Sequence, residues 1–417
     1  MICTRPLFML LLFSTAGWAQ TPGQHPGVSA AVPGGKLPIP SGRYAVGRTA
    51  LDLTDNARLD PFSSTSEKYR ELMIYVWYPA RSSPRAPFAE YFPYAGELDQ
   101  NPDSKQAALD MFGASWKQIV AGSVRSHAIT NAPPAMESKK FPVLLFSHGY
   151  SATTFSYTAQ IEDLVSHGYV VVAVEHTDAA GLVRFPDHHI RLFRIPPAPP
   201  SPAKDPLQAM IASAEQGTQI GAEDLRFVLD ALGKGSFPLS KSMDLKQVAA
   251  VGHSYGGTLT VRACQLDTRI KACISEDGEV NPVGAFFDYP DHASMKQPFL
   301  FIEVANHPTD VELARMRESR VQWNGFLAHE HEQLDRCGAG SYFVQVERPG
   351  MVHSSFSDGP ILNASDPKLA SIALANLLLT ERLERSFLDK YLKDAPAPLL
   401  DQSDKTEAGI KIERVGQ

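Results

Sequence analysis

Positive charge is not in excess: the 417 residues hold 39 Lys and Arg against 46 Asp and Glu, giving a net charge of −7 and a pI near 6.0. A chain so balanced has no global positive field to hold a phosphate backbone, so a nucleic-acid partner is not expected. Cysteine is scarce, with four in the whole chain, and none are spaced as zinc ligands. No stretch approaches the ~20 uninterrupted apolar residues of a membrane-spanning helix, and no internal repeat is visible. What is present suits one large α/β domain with insertions: 43% apolar and 20% charged residues. Proline stands out, with 32 residues that cluster.

The N-terminus reads as an export signal peptide. Arg5 supplies the positive charge, Leu7 to Phe13 a short apolar run, and Gly17 and Ala19 the small residues ahead of a cleavage after Ala19. Residues 1–19 are expected to be removed, with Cys3, leaving a periplasmic or secreted protein. Residues 20–42 are expected to form a flexible Pro/Gly-rich leader, 43–395 the folded domain with a proline-rich insertion at about 179–206, and 396–417 a polar, frayed tail. The remaining cysteines, Cys264, Cys273 and Cys337, are odd in number, so at most one disulfide forms. Cys273 lies inside an apolar strand pattern and reads as a free core thiol.

Leu72–Pro79 has the β-branched and aromatic content of a strand stopped by its proline, and is expected at an antiparallel edge of the sheet. From Phe141 onward strand and helix alternate. Val143–Phe146 precedes a helix from about Tyr157 to His167 closed by Gly168, and Tyr169–Val174 is the next buried strand. After the proline run Ile195–Pro202, a helix carries Leu225, Val228, Leu229 and Leu232 on one face and ends at Gly233. Strands at Gln247–Val251, Lys271–Ile274, Pro298–Glu303 and Tyr342–Val346 follow, with a helical stretch at Asp310–Gln322. A C-terminal helix over Pro367–Tyr391 should present Leu369, Ile372 and Ala373, then Asn376 to Leu379, on or near its apolar face. This alternation implies an α/β fold: a mostly parallel central sheet with helices on both faces.

The motif that carries chemistry is Gly252-His-Ser254-Tyr-Gly256, at the end of one such strand and the start of a helix. That is G-x-S-x-G in the context of a nucleophile elbow, where the turn is so tight that Gly252 and Gly256 must lack bulk while Ser254 presents its hydroxyl above the helix N-terminus. A serine hydroxyl needs a base, and the base an orienting acid, which in this arrangement follow in the order Ser, Asp or Glu, His. His353, in the loop after the last strand, is the candidate base, ahead of His292, His307, His329 and His331. For the acid, Asp277 closes the strand after the nucleophile helix, while Asp310, Glu276 and Glu303 compete. The backbone N–H groups of Tyr255 and of Tyr150, in the turn Ser147-His148-Gly149-Tyr150, are the candidates for an oxyanion hole. His148 and His253 read as structural.

Four segments, Phe146–Tyr150, His167–Asp178, Gly252–Gly257 and Gly350–Phe356, resemble in the same order the plasma-type platelet-activating-factor acetylhydrolase family and its bacterial relatives. The resemblance runs from about Arg43 to past His353. It implies the α/β-hydrolase fold and a calcium-independent serine esterase that removes short or oxidised acyl groups from the sn-2 position of glycerophospholipids. It also points to Asp277 as the acid and to the Tyr150 amide as the second oxyanion donor. A cutinase-like or polyester hydrolase, or an unspecialised short-chain esterase, is the alternative. Neither cofactor nor metal is expected, since nucleophile, base and stabiliser are all in the chain. The expected partner is a small-molecule or lipid ester, with possible transient membrane-surface contact; the apolar stretch Ala108–Phe112 could touch lipid, though such stretches are more often core. The leader and the proline-rich segment have no counterpart in the family.

Overall fold

Long runs of β-branched and aromatic residues form the strands of an eleven-stranded sheet. β1 (Ala45–Leu59) pairs antiparallel with β2 (Tyr69–Ala80). β3 (Phe88–Glu90) and β4 (Arg125–Thr130) extend one edge. The parallel block contains β5 (Phe141–Ser147), β6 (Val170–Glu175), β9 (Met243–His253), β10 (Ile270–Glu276), β11 (Phe299–Val304) and β12 (Ser341–Val346). β7 (Leu182–Arg184) and β8 (Ile190–Leu192) make a separate hairpin, and β13 (Ile410–Val415) closes the far edge of the main sheet. The order across the sheet is β13-β12-β11-β10-β9-β5-β6-β2-β1-β4-β3. This computed structural model describes residues 36–62, 68–81, 86–195, 206–235, 237–278, 295–305, 308–315, 319–401 and 408–416. The expected export signal, most of the expected leader, the prolines from Pro196 to Pro202, His292 and His307 lie outside the described residues.

Each parallel strand is covered on both faces, and successive residues divide between two cores. Val143 and Leu145 of β5 and Val170, Val172 and Val174 of β6 face one side, with Leu225, Val228, Leu229 and Leu232 of α3 (Pro206–Gly233) and Val261 and Ala263 of α4 (Tyr255–Leu266). Leu144, Phe146, Val171 and Ala173 face the other, with Ile161 and Leu164 of α2 (Thr158–Ser166) and Leu377, Leu383 and Phe387 of α6 (Pro367–Lys393). The two-residue period of a strand puts neighbours on opposite faces, so an unbroken apolar run is what a strand buried on both sides requires. Each such side chain, fully buried, contributes about 1.5–3 kcal/mol.

Four expectations are corrected. β2 is not an edge: it sits between β6 and β1, and Leu72 to Tyr78 are all buried. Its unbroken apolar sequence was the signal of two covered faces, and Pro79 is tolerated because it lies at the strand's end. Residues 396–417 do not simply fray: Ile410–Val415 pairs antiparallel with β12. On α6 Leu369 is not covered but 47% exposed, and Leu378 is exposed too, while Ala373, Asn376, Leu377 and Leu379 are buried as expected. Asp366 starts that helix by accepting the N–H groups of Lys368 and Leu369, at 2.8 and 2.9 Å. The core reading of Ala108–Phe112, on α1 (Pro102–Phe112), agrees with the structure: Ala108, Met111 and Phe112 are buried, and Phe112 packs on Tyr91, Phe92 and Trp116.

The fourth correction concerns Cys273, which is not a free thiol but is bonded to Cys264. Cys264 lies on the inner face of α4 and Cys273 in the middle of β10, and the return from helix to strand brings their Cα atoms to 6.7 Å. Packing rather than spacing makes the pair, which is why strand pattern alone misread it. Cys337 is the free cysteine, buried, and burial pushes its thiol up to about 12. The bridge closes a loop of 9 residues. Replacing both cysteines by alanine is expected to lower unfolding free energy by about 2–3 kcal/mol, read from urea denaturation, through restored freedom of the unfolded chain.

Candidate active site

The turn from β9 into α4 places Ser254 at φ 56°, ψ −125°, between His253, the last residue of the strand, and Tyr255, the first of the helix. A non-glycine residue held there costs on the order of 1–3 kcal/mol and persists only where its surroundings impose it. Here they do. The Ser254 N–H donates to the Glu276 carbonyl at 2.8 Å, and the Ser254 carbonyl accepts from Thr258 N–H at 3.2 Å. A Cβ on Gly252 would stand 2.3 Å from the Gly256 carbonyl oxygen, and one on Gly256 would stand 2.1 Å from that of Ser147. Neither position admits a side chain, as the elbow motif requires.

Asp277 lies at the tip of β10, beside the elbow, with φ 51°. Its N–H donates to Ile302 O at 2.7 Å and its Oδ1 accepts from Val304 N–H at 2.9 Å, so the carboxylate is fixed by β11. Oδ2 lies 2.6 Å from His353 Nδ1, and His353 Nε2 lies 2.8 Å from Ser254 Oγ. The carboxylate can only accept, so Nδ1 carries the proton and Nε2 offers its lone pair to the serine hydroxyl. The His353 side chain is 52% exposed and opens the line to solvent.

The other acids are held elsewhere. Glu303 accepts from Gln345, and Asp310 is ion-paired with Arg320 at 2.8 Å. Glu276 is buried and accepts from Gln160. Of the competing histidines, His329 and His331 belong to α5 (Arg320–Asp335), where the His331 ring packs on Phe343.

The turn after β5 lies against the elbow. A Cβ on Gly149 would be 3.4 Å from Ser254 Cβ, and the rings of Tyr150 and Tyr255 meet edge-on at 4.9 Å. The Gly149 N–H is bound by the Tyr157 hydroxyl at 3.0 Å. His148 is structural as expected, its Nδ1–H donating to Gly149 O and its Nε2 accepting from His176 N–H.

Beneath this turn lies an array that sequence reading missed: Ser147 Oγ is 3.0 Å from His176 Nε2, and His176 Nδ1 is 3.1 Å from Asp224 Oδ2. Arg70 makes two hydrogen bonds to Asp224. All four residues are buried, and burial pushes His176 down to about 4. Despite its Ser–His–Asp composition, the array ties β5, β6 and α3 together. Its residues His176, Arg70 and Asp224 also border a narrow cleft with Tyr150, Tyr255 and Arg194.

The loop that carries His353 is held from behind by Asp358. Its N–H donates to Ser156 O, while its carboxylate accepts from Thr158 N–H, Ala159 N–H and the Tyr91 hydroxyl at 3.0, 3.2 and 3.0 Å. A carboxylate at the N-terminus of α2 meets both the unpaired N–H groups and the positive end of the helix dipole. Its signal in the sequence is the acid just beyond the candidate histidine.

A parallel sheet with a strained serine at a strand-to-helix turn, and a histidine and an aspartate brought to it from later strand ends, defines an α/β-hydrolase. The chain belongs to the family described as platelet-activating factor acetylhydrolase, isoform II, which matches residues 31–187 and 221–368. It is similar to the platelet-activating factor acetylhydrolase of Cavia porcellus, 27% identical over 64% of this chain and 60% of that protein. It is also similar to that of Gallus gallus, 24% identical over 82% of this chain and 79% of that one. The mammalian relatives from Cavia porcellus, Canis lupus familiaris and Bos taurus are spanned over 60%, 65% and 63% of their length. A probable 1-alkyl-2-acetylglycerophosphocholine esterase of Arthroderma benhamiae is 24% identical, over 78% and 77% of the two chains. Among solved structures, a ferulic acid esterase from Streptomyces cinnamoneus superposes with a TM-score of 0.66 at 27% identity, covering 91% of this chain and all of that one.

Under the triad, on the α6 side of the sheet, Glu276, Glu381 and Glu384 form a buried carboxyl group cluster. Oxygens of all three lack a donor among the described residues, and burial pushes all three up, Glu381 to about 9. Each is thus protonated when folded at a pH where the unfolded chain ionises it. The stabilisation is full below the ordinary carboxyl value of 4.5 and is lost as pH rises through the folded values toward about 9. The urea midpoint is expected to fall from about pH 5 to about pH 9, and Glu384→Gln, which keeps a neutral side chain at every pH, should flatten that fall.

Proposed function

We propose that the protein is an exported serine carboxylic ester hydrolase, and that its substrates are phospholipids bearing short acyl esters at sn-2. The observation that carries the reading is the continuous hydrogen-bonded line Ser254–His353–Asp277 at the C-terminal ends of parallel strands. Family membership and the named relatives support the choice of substrate.

In this scheme Ser254 Oγ attacks the ester carbonyl carbon as His353 Nε2 takes the hydroxyl proton, and Asp277 holds Nδ1–H and stabilises the imidazolium. Negative charge collects on the former carbonyl oxygen, for which this scheme assigns the N–H groups of Tyr150 and Tyr255 as donors. Collapse breaks the ester C–O bond, and His353 returns the proton to the departing alcohol. Water then attacks the acyl-enzyme with His353 again as base, releasing the acid and restoring Ser254. Every group used is a side chain or amide of the chain, so the scheme calls for no metal or cofactor.

A second reading, an esterase of small non-lipid esters, is favoured by the ferulic acid esterase neighbour. It keeps the mechanism and changes what fills the site. Ser254→Ala should abolish ester turnover, and a fluorophosphonate should label Ser254 alone. Asp277→Asn should leave the fold intact and lower kcat by roughly 10⁴; an equal loss in Asp310→Asn with Asp277→Asn unaffected would move the acid. Initial rates on sn-2 acetyl and sn-2 long-chain phospholipids, p-nitrophenyl acetate and a polyester film separate the substrates. A strong preference for sn-2 acetyl supports the phospholipid reading, and p-nitrophenyl acetate turnover without phospholipid turnover removes it.

A further inference from the structure

His253, the residue before the serine, is buried at 1% exposure, yet both of its ring nitrogens are engaged. Nε2 lies 2.8 Å from the backbone carbonyl oxygen of His353, and Nδ1 lies 2.8 Å from the Tyr157 hydroxyl. A carbonyl can only accept, so Nε2 carries the proton. The Tyr157 hydroxyl already accepts from Gly149 N–H, at 3.0 Å, so its own proton is directed at Nδ1. Donor directions are therefore fixed along the path: Gly149 N–H to Tyr157, Tyr157 O–H to His253, His253 Nε2–H to His353 C=O. One end is the turn that holds Tyr150; the other is the backbone of the base.

The imidazole of His253 is consequently neutral. Burial, and the proximity of His353, hold its pKa well below the ordinary histidine value. The two rings lie 4.6 Å apart, centroid to centroid, and Phe356 covers His253 from another side at 5.4 Å. When His353 becomes an imidazolium during the reaction, the adjacent ring offers no competing charge. A merely space-filling residue would need neither nitrogen, and a buried imidazole is an expensive filler unless both are paired.

We propose that His253 is a positioning residue that sets the oxyanion turn and the catalytic base at one fixed separation, so that both meet the same tetrahedral transition state. The inference rests on the esterase reading of the Ser254 site. His253 does not touch substrate; it acts through Tyr157 and Gly149 on one side and through the His353 backbone on the other. Misplacing a reacting group by about 1 Å can cost roughly 10²-fold in rate, which sets the scale of the effect.

The test begins with wild-type protein and a fluorophosphonate. Labelling at Ser254 upholds the esterase reading independently, whereas labelling elsewhere overturns that reading and this inference with it. Steady-state rates on p-nitrophenyl acetate are then measured for His253→Leu, His253→Gln, Tyr157→Phe and the double variant His253→Leu with Tyr157→Phe. The expected result is a fall in kcat of roughly 10²-fold for His253→Leu with KM little changed. His253→Gln, which keeps an N–H for the His353 carbonyl, should recover part of the loss. The double variant should be no slower than the slower single one, because both break the same path. An unchanged kcat, a loss confined to KM, or losses that multiply would each overturn the proposal. Should His253→Leu fail to fold, imidazole ¹⁵N NMR of the wild type decides: a neutral Nε2–H form from about pH 5 to about pH 9 supports it, and an Nδ1–H form or titration in that range overturns it.

Discussion

A side chain at Gly256 would drive its first carbon to 2.1 Å from the Ser147 carbonyl oxygen, so the start of α4 and the end of β5 meet only where neither has bulk. That contact fixes where the rest of the site can be. It brings the Gly149–Tyr150 turn against Ser254, and it puts the first amide of α4 beside the same serine. The strained backbone of Ser254 is the other side of this closeness. Its cost, on the order of 1–3 kcal/mol, is small against two cores in which dozens of apolar side chains are buried.

Around that contact the polar groups are divided by depth. The triad lies at the open ends of the strands, with His353 half exposed. One layer below, Ser147, His176, Asp224 and Arg70 lock the strand ends to one another, and on the opposite side of the sheet burial pushes the Glu276, Glu381 and Glu384 carboxyl groups up. Burial pushes the His176 imidazole down, while Arg70 and His176 hold the Asp224 carboxyl low against it.

Much of this was legible in the sequence because it depends on local order. Strand, glycine, serine, glycine and helix follow one another along the chain, and their period and spacing suffice to place Ser254. His353 and Asp277 were found as residues at the ends of later strands, although the residues alone left Asp310, Glu276 and Glu303 open. Asp277 is distinguished by the Val304 N–H that fixes it, a contact between strands that no local pattern records. The same applies to what was missed. Cys273 pairs through helix packing, β13 returns to the sheet edge from a polar segment, and Leu369 in the first turn of α6 is left uncovered although the rest of the stripe from Ala373 is largely buried. His253 was legible as structural, but its hydrogen-bond directions follow from Tyr157 and His353, both distant in sequence.

Among the described residues, the bridge between Cys264 and Cys273 is accompanied by one reduced cysteine, Cys337, buried and with its thiol pushed up to about 12. Disulfide exchange requires a thiolate with access to sulfur, and in the folded protein Cys337 offers neither. Unfolding removes both protections at once, since an exposed thiol regains its ordinary acidity near the two sulfurs of a bond that is also exposed. Scrambling is thus confined to the unfolded chain, and the longer the protein stays hot at alkaline pH the smaller the fraction that returns with the bridge in place. The odd cysteine makes heat inactivation a one-way process even though the native fold keeps it inert.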